Sequence, residues 1–197
     1  MLGDNDFIKE VFEYSEEIYY CKDCGYYDFH SFKREKCPNC YSKNTTFFLI
    51  DADYIKEFED AYIYIEDFKR ISKAIEIAKN FINVGTYVLD DYFAAELKNK
   101  YNDIINVHVI IGQKGKDLIR IIKSINTFKF FIKYYPEFHL KLIVIDGILA
   151  FKGSANLTVN GWKEDAIELR EMVTIPEEVR ELNNKFLTYY RFAREIE

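Results

Sequence analysis

The chain has little proline, histidine and cysteine, and each low count limits the classes of protein and of functional site that the sequence allows. Its 197 residues include 3 prolines, 3 histidines and 4 cysteines, whereas aromatic residues make up 17%. So few prolines beside so many aromatic side chains argue against a disordered chain. No run of about 20 apolar residues occurs, so we expect no membrane span. Internal repeats and low-complexity tracts are also absent, and a globular protein is therefore expected.

The first residues lack the features of an export signal. MLGDNDFIKE has neither a basic start nor an apolar stretch. We therefore expect a cytoplasmic protein, in a reducing compartment where disulfides are rare. A chain of this length can hold one small module and one domain of about 140 residues with a core of its own.

All four cysteines lie in two CxxC pairs near the N-terminus. Cys21 and Cys24 form the first pair, and Cys37 and Cys40 form the second after twelve intervening residues. Four thiolates at this spacing suit one tetrahedral metal ion. Two disulfides are the alternative, which a reducing compartment disfavours. The segment resembles a zinc ribbon of the short rubredoxin-like kind, which implies a structural Zn²⁺ or an iron ion. Zn²⁺ is favoured because no free cysteine and no second redox centre is visible.

Basic and aromatic side chains are interleaved in this cysteine-rich segment. Residues 18–50 hold five bases against three acids, and Tyr26, Tyr27, Phe29 and Phe32 are interleaved with these charges. Such a mixture can contact phosphates and stack on bases. The alternative is that the aromatic side chains form the ribbon's small core and the lysines remain solvated.

The most specific pattern lies in HLKLIVIDGILAFKGSAN, over residues 139–156. Its spacing is H-x-K-x4-D-x6-G-S-x-N, filled by His139, Lys141, Asp146, Gly153, Ser154 and Asn156. FHLKLIVID is apolar and β-branched enough for a buried strand, on which residues two apart share a face about 7 Å from each other. A polar pair on such a strand requires a partner, and a phosphodiester would be one. Cations and amide or hydroxyl donors bind its oxygens, and a neighbouring imidazole can attack its phosphorus.

This pattern resembles the signature of the phospholipase D superfamily, whose members break or transfer phosphodiester bonds through a histidine. The resemblance implies that His139 is the nucleophile, forms a covalent phosphohistidine and needs no catalytic metal. It also implies that Lys141 and Asn156 bind the phosphate. Ser154 would lie in the turn that helps to hold the site, and Asp146 would support the site without touching the substrate.

The family also has a glutamate after GSAN that orients the nucleophilic imidazole. The usual N-x-E context is missing here, where the segment reads NGWKEDAIELREMVTI. Glu168 follows an apolar residue at nearly the usual distance, so we prefer it, and Glu171 is the alternative. Either could equally be a surface charge at the end of a strand.

Family members use two copies of the motif, the second histidine protonating the leaving group. This chain has one copy, so the resemblance implies a homodimer whose paired sites meet at the two-fold axis. Although the formal net charge is −6, residues 111–150 hold seven bases against three acids. A positive stretch leading into the motif suits a polyanionic substrate, although lysines on a solvated helix face would give the same count.

Strand and helix patterns alternate after residue 60. They predict an α/β fold, a mixed β-sheet flanked by helices, over residues 60–197. Residues 1–50 are expected to form an N-terminal helix and a small β zinc ribbon. The function predicted is a metal-independent, endonuclease-like phosphodiesterase acting on DNA or RNA. A phospholipid hydrolase or phosphatidyltransferase is the first alternative. A non-catalytic nucleic-acid or protein binding module is the second, and the intact motif disfavours it.

Overall fold

A computed structural model of the chain describes residues 16–29, 34–51, 53–57, 67–100, 105–112, 130–136, 138–163 and 165–196. They form two β-sheets, with helices flanking the larger one. The N-terminal helix predicted ahead of the ribbon lies outside the described residues, as do Phe32 and most lysines of the basic stretch before the motif.

The cysteine-rich segment forms a small antiparallel sheet. Its strands are β1 (Glu16–Cys21), β2 (Tyr27–Asp28) and β3 (Thr45–Ile50), in the order β2-β1-β3. β1 pairs with β3 over its whole length, from Glu16 opposite Ile50 to Cys21 opposite Thr45. The small N-terminal β module predicted from the sequence is therefore confirmed, and Cys21 ends its central strand.

The second sheet has seven described strands: β4 (Phe81–Thr86), β5 (Asn106–Ile111), β6 (Phe130–Tyr134), β7 (Lys141–Ile145), β8 (Leu149–Gly153), β9 (Arg170–Val173) and β10 (Arg194–Glu195). Their order is β10-β6-β5-β4-β7-β8-β9. The adjacent strands β6, β5 and β4 are parallel to one another, and the other four are antiparallel to their neighbours. β4 and β5 are buried along their whole length, as parallel strands in a covered sheet are.

The helices that accompany this sheet include α1 (Asp67–Ile77), α2 (Asp91–Lys100), α3 (Val159–Trp162) and α4 (Pro176–Phe192). α4 packs across β4, β7 and β8, whereas α1 packs beside α2 and α3. Pro176 occupies the first turn of α4, where its missing N–H costs nothing. The predicted α/β class is confirmed. None of the helices in the described ranges has the length and apolarity that crossing a bilayer requires.

The small sheet packs against the large one where β4 begins. Tyr20 stacks on Phe81 with ring centroids 4.5 Å apart and planes 9° apart, and the Tyr27 ring lies 5.4 Å from the same ring. Buried residues of both sheets belong to one continuous apolar core. The domain boundary between residues 50 and 60 stays a prediction, because the core runs across it.

Candidate active site and metal centre

His139 lies just before β7, at the edge of the large sheet where β4 ends. Its side chain is exposed. The imidazole stacks on the ring of Tyr87, the residue after β4, with centroids 4.8 Å apart and planes 10° apart. Within the described residues no hydrogen bond to either ring nitrogen is formed. Both nitrogens are therefore available to a substrate.

Lys141 shares the Tyr87 ring with His139. It is the first residue of β7 and half-buried, and its Nζ lies 5.8 Å from the centroid of the Tyr87 ring. A cation at this distance is attracted by the face of an aromatic ring. The structure thus brings together the imidazole and the ammonium group that the two-residue spacing predicts on one face of a strand.

Asn156 joins them from the other end of the motif. Its Oδ1 accepts hydrogen bonds from the backbone N–H groups of Tyr87 and Val88, at 3.1 and 3.2 Å. Because the oxygen of the amide accepts both of these bonds, its Nδ2 group is left to donate a hydrogen bond to another partner. The Leu157 N–H donates to Oγ1 of Thr86 at 2.9 Å, which ties the loop after GSAN to the end of β4.

Ser154 and Glu168 are hydrogen-bonded to each other. The Ser154 hydroxyl donates to the Glu168 carboxylate and accepts from the Leu169 N–H at 2.9 Å. Glu171 forms an ion pair with Lys152 instead, at 3.0 Å. Neither carboxylate hydrogen-bonds to His139 within the described part of the chain. The role of Glu168 in orienting the imidazole therefore stays a prediction, as does that of Glu171.

The glycine of the motif is required by a close approach of two strands. A Cβ at Gly153 would lie 1.9 Å from the carbonyl oxygen of Leu169, far inside contact distance. Only a residue without a side chain lets β8 lie this close to the segment that leads into β9. The Ser154–Glu168 hydrogen bond forms directly beside this contact.

Asp146 lies at the opposite end of β7. It is fully buried, and it accepts hydrogen bonds from the Tyr54 hydroxyl and from backbone N–H groups. The donors are Lys79 at 2.8 Å, Asn80 at 3.0 Å and Phe81 at 2.5 Å. Burial raises the pKa of this carboxyl, an effect that the hydrogen bonds oppose. Asp146 lies five positions after Lys141 along the strand, a span of about 16 Å.

A small cleft borders Lys141 on the surface of β7 and β8. The side chains that line it include three bases, Lys141, Lys152 and Arg170, and no acid. Apolar residues such as Phe151 and Trp162 form much of its remaining wall. The surroundings of the motif lysine therefore favour an anionic ligand.

The four cysteine sulfurs form one cluster. All four Sγ atoms lie within 4.8 Å of one another, with Cys21 and Cys40 at 3.6 Å and Cys24 and Cys37 at 3.7 Å. A tetrahedral Zn²⁺ with Zn–S bonds of about 2.3 Å would separate its sulfurs by about 3.8 Å. A disulfide would bring two sulfurs to about 2.05 Å. The four thiols are free, and their spacing fits a tetrahedral ion.

A second layer of donors surrounds this cluster. The backbone N–H of Asn39 points to the sulfur of Cys37, and its Nδ2 points to the sulfur of Cys24, each at 3.4 Å. Such bonds orient thiolate ligands and offset their charge. The four cysteines therefore could hold Zn²⁺ or iron, and this geometry suits both.

A buried polar group fastens the first cysteine turn to the large sheet. His108, on β5, is fully buried, and its Nε2 lies 3.2 Å from the Lys22 carbonyl oxygen, to which it donates. The Nδ2 groups of Asn83 and Asn183 both donate to the Gly25 carbonyl at 3.1 Å. Burial lowers the pKa of His108 to about 4, so the ring is neutral. The ribbon is thus held at the end of β4 remote from His139.

Sequence reasoning missed Tyr87 and the polar group around His108. Tyr87 belongs to no motif, and its only signal is an aromatic residue directly after a buried strand. Tyr27, one of the aromatics expected either to stack bases or to fill a small core, is buried in the core shared by both sheets.

Comparisons with known proteins identify a family and a shared fold. The profile of a family described as "Cardiolipin synthase, PLD-like domain" matches residues 71–190. NucT from Helicobacter pylori superposes with a TM-score of 0.58 at 16% identity, covering 72% of this chain and 94% of its own. Nuc from Salmonella typhimurium, a phospholipase D family member, gives 0.56 at 17% identity, covering 64% and 88%. Phosphatidylserine synthase from Haemophilus influenzae gives 0.52 at 12%, covering 65% and 36%. No curated protein matches the chain in sequence.

Proposed function

Because the chain belongs to the phospholipase D-like domain family, we propose that it cleaves phosphodiester bonds of DNA or RNA with His139 as the nucleophile. Family membership indicates an enzyme that hydrolyses or transfers phosphodiesters. The observation that carries the finer proposal is the convergence of His139, Lys141 and Asn156 on one residue, Tyr87. An imidazole, a cation and an amide donor that contact one residue are the kinds of group that phosphoryl transfer through histidine requires.

The reaction proceeds in two steps. A ring nitrogen of His139 attacks phosphorus, a P–N bond forms, and the P–O bond to the leaving group breaks. The Lys141 ammonium and the Asn156 Nδ2 offset the charge on the non-bridging oxygens. Water then attacks the phosphohistidine, the P–N bond breaks, and His139 is regenerated. The departing oxygen takes a proton from a second imidazole, which later accepts the proton of the water.

That second imidazole would be the partner subunit's His139. The described residues place no other histidine at this edge of the sheet, since His108 is buried beneath the ribbon. Ile167 is fully exposed, Leu169 is 69% exposed, and they flank Glu168 beside the motif serine. Exposed apolar side chains of this kind mark contact surfaces. They support a homodimer that meets beside its two active sites.

The nucleic-acid substrate is supported by charge. The cleft beside Lys141 is lined by three basic side chains and no acidic one; Lys152 is paired with Glu171, which leaves Lys141 and Arg170 as the bases that suit a phosphate. A phospholipid substrate is the alternative. It would use the same catalytic groups, so only a comparison of substrates separates the two.

The experiment compares wild type with His139→Ala on labelled single- and double-stranded DNA and RNA, and on phosphatidylglycerol vesicles, in EDTA. We expect cleavage of a nucleic acid, a loss of at least about 10³-fold in the variant, and an acid-labile phosphorylated wild-type protein. Lys185→Ala, an exposed change on α4, is the control and should keep full activity. Undiminished cleavage by His139→Ala would overturn the mechanism, and cleavage of lipid alone would overturn the substrate.

A second experiment tests the dimer. Leu169→Glu should turn the dimer into a monomer and abolish cleavage, because each site then lacks its second imidazole. Sedimentation velocity gives the mass, and Leu49→Glu on the ribbon, where the side chain is 63% exposed, is the matched control. A fully active monomer would contradict the paired-site mechanism.

A further inference from the structure

We propose that Tyr87 is a positioning residue, which holds the nucleophile, the cation and the amide donor of the site in one arrangement. This inference rests on the function proposed above. Tyr87 lies outside the motif and reaches its members in two ways, through the face of its ring and through its backbone N–H.

The first contact fixes the plane of the His139 ring. An exposed imidazole without a hydrogen bond turns freely about its side-chain torsions. The two rings lie almost parallel, 10° from coplanar with centroids 4.8 Å apart, within the range of stacked aromatic pairs. In a parallel stack the ring nitrogens point sideways along the plane, so neither lone pair is covered. Stacking thus limits the motion of the nucleophile and leaves its attacking atom open.

The second contact fixes Asn156. The Tyr87 N–H donates to Oδ1 at 3.1 Å, and Val88 adds a second bond at 3.2 Å. The Lys141 ammonium lies over the same Tyr87 ring at 5.8 Å. Any shift of Tyr87 would therefore move three groups that must meet one phosphate together. Misplacement of reacting groups by about 1 Å can cost about 10²-fold in rate.

Tyr87 is itself held by the end of the sheet. The neighbouring Thr86 hydroxyl donates to the Val88 carbonyl at 2.7 Å and closes the turn around Tyr87. Gly112, just after β5, leaves room for the ring, since a Cβ there would lie 2.4 Å from Cδ2 of Tyr87. A half-buried ring between two strand ends is a rigid support.

In the described part of the chain no carboxylate is hydrogen-bonded to His139. Glu168 is hydrogen-bonded to Ser154, and Glu171 is paired with Lys152. The Tyr87 stack is the contact that orients the imidazole. Position 87 therefore requires a flat aromatic ring, and it does not require the tyrosine hydroxyl.

The test compares Tyr87→Phe with Tyr87→Leu on the cleaved nucleic acid. The Phe variant keeps the ring and should retain wild-type kcat. The Leu variant is of similar bulk but cannot stack, and its kcat should fall by about 10- to 100-fold with KM little changed. Melting curves show whether each variant is folded. Equal kcat for Leu and wild type, or equal losses for Phe and Leu, would overturn the proposal.

A second readout needs neither activity nor a folded Leu variant. In the wild-type protein the Tyr87 ring should shift the His139 ring protons upfield in ¹H–¹³C spectra, and Tyr87→Phe should keep that shift. Unshifted His139 protons in wild type would overturn the stack whatever the protein cleaves. An upfield shift in a protein that cleaves nothing would instead mean that the proposed function has failed.

Discussion

At the scale of single residues, Asp146 is a fully buried carboxylate at the end of β7 remote from His139, and its role in supporting the site stays a prediction. It binds three consecutive backbone N–H groups, the last of them at Phe81, where β4 begins. β4 carries Tyr87 just beyond its other end. The carboxylate therefore anchors the start of β4. His139 stacks on Tyr87, the residue that follows the other end of the same strand.

Replacing Asp146 by Asn should destabilise the fold and leave the chemistry intact. An amide turns an N–H₂ group towards donors that have lost their acceptor, which costs about 1–3 kcal/mol. Urea unfolding should show this loss, while kcat per folded molecule stays at the wild-type value. Asp165→Asn, an exposed carboxylate, is the control and should leave both unchanged. A large fall in kcat for Asp146→Asn would mean that the carboxylate acts on the reaction directly.

The residues of the motif could be predicted because one short segment contains all of them. The strand predicted from FHLKLIVID begins only at Lys141, so His139 precedes it, and the two side chains are related by their shared contact with the Tyr87 ring. Tyr87 could not be found in this way. It meets Asn156 across 69 positions of the sequence, and only the pairing of β4 with β7 brings the two ends together.

At the scale of elements, the join between β8 and β9 depends on Gly153. Gly153→Ala would drive a methyl group into the Leu169 carbonyl oxygen, so the strands must separate. We expect a loss of about 1–3 kcal/mol in the free energy of unfolding and a fall in activity, because the Ser154–Glu168 bond lies beside the join. Ser154→Ala removes that bond alone and separates the two effects. An unaltered stability for Gly153→Ala would contradict the close approach.

Element types followed from sequence patterns, whereas strand order did not. PEEVRELNNKFLTYYRFA has a local helical pattern and forms the helix Pro176–Phe192, and the strand expected in FHLKLIVID is present over KLIVI. Nothing local indicates that β4 pairs with β5 on one side and β7 on the other. Strand order results from the burial of whole faces, which involves residues far apart in the sequence.

At the scale of the whole molecule, the small sheet that carries the first cysteines shares one core with the large sheet, and Cys21, Cys24 and Cys37 form a separate small cluster beside it. Tyr20 and Tyr27 pack on Phe81, so an unfolded ribbon would expose the start of β4. Removing the metal should therefore lower the melting temperature of the entire chain by at least about 10 °C, in a single transition. Circular dichroism with elemental analysis tests this, with Cys24→Ser as the genetic equivalent. Unchanged melting of a metal-free protein would contradict it.

The buried His108 should make the stability of the folded chain sensitive to acid. Its pKa is about 4 when folded and about 6.5 when unfolded. As the pH falls from 6.5 to 4, the unfolded chain takes up a proton that the folded chain does not, so stability falls over that window. At pH 5 the loss is about 2 kcal/mol. His108→Gln should be less stable at pH 7 and should lose less between pH 7 and 5, as urea titrations would show. An equal loss in both proteins would contradict the role of His108.

The contact between Gly25 and Asn183 also has a consequence for synthesis on the ribosome. These two residues are 158 positions apart, and chains elongate at about 5–20 residues per second. The first cysteine turn is thus made about 8–30 seconds before the helix that clamps it. During that interval the rings of Tyr20 and Tyr27 on the nascent ribbon cannot yet be buried in the completed core. A chaperone, or slow closure of the ribbon itself, would have to protect them until translation of the far end is complete.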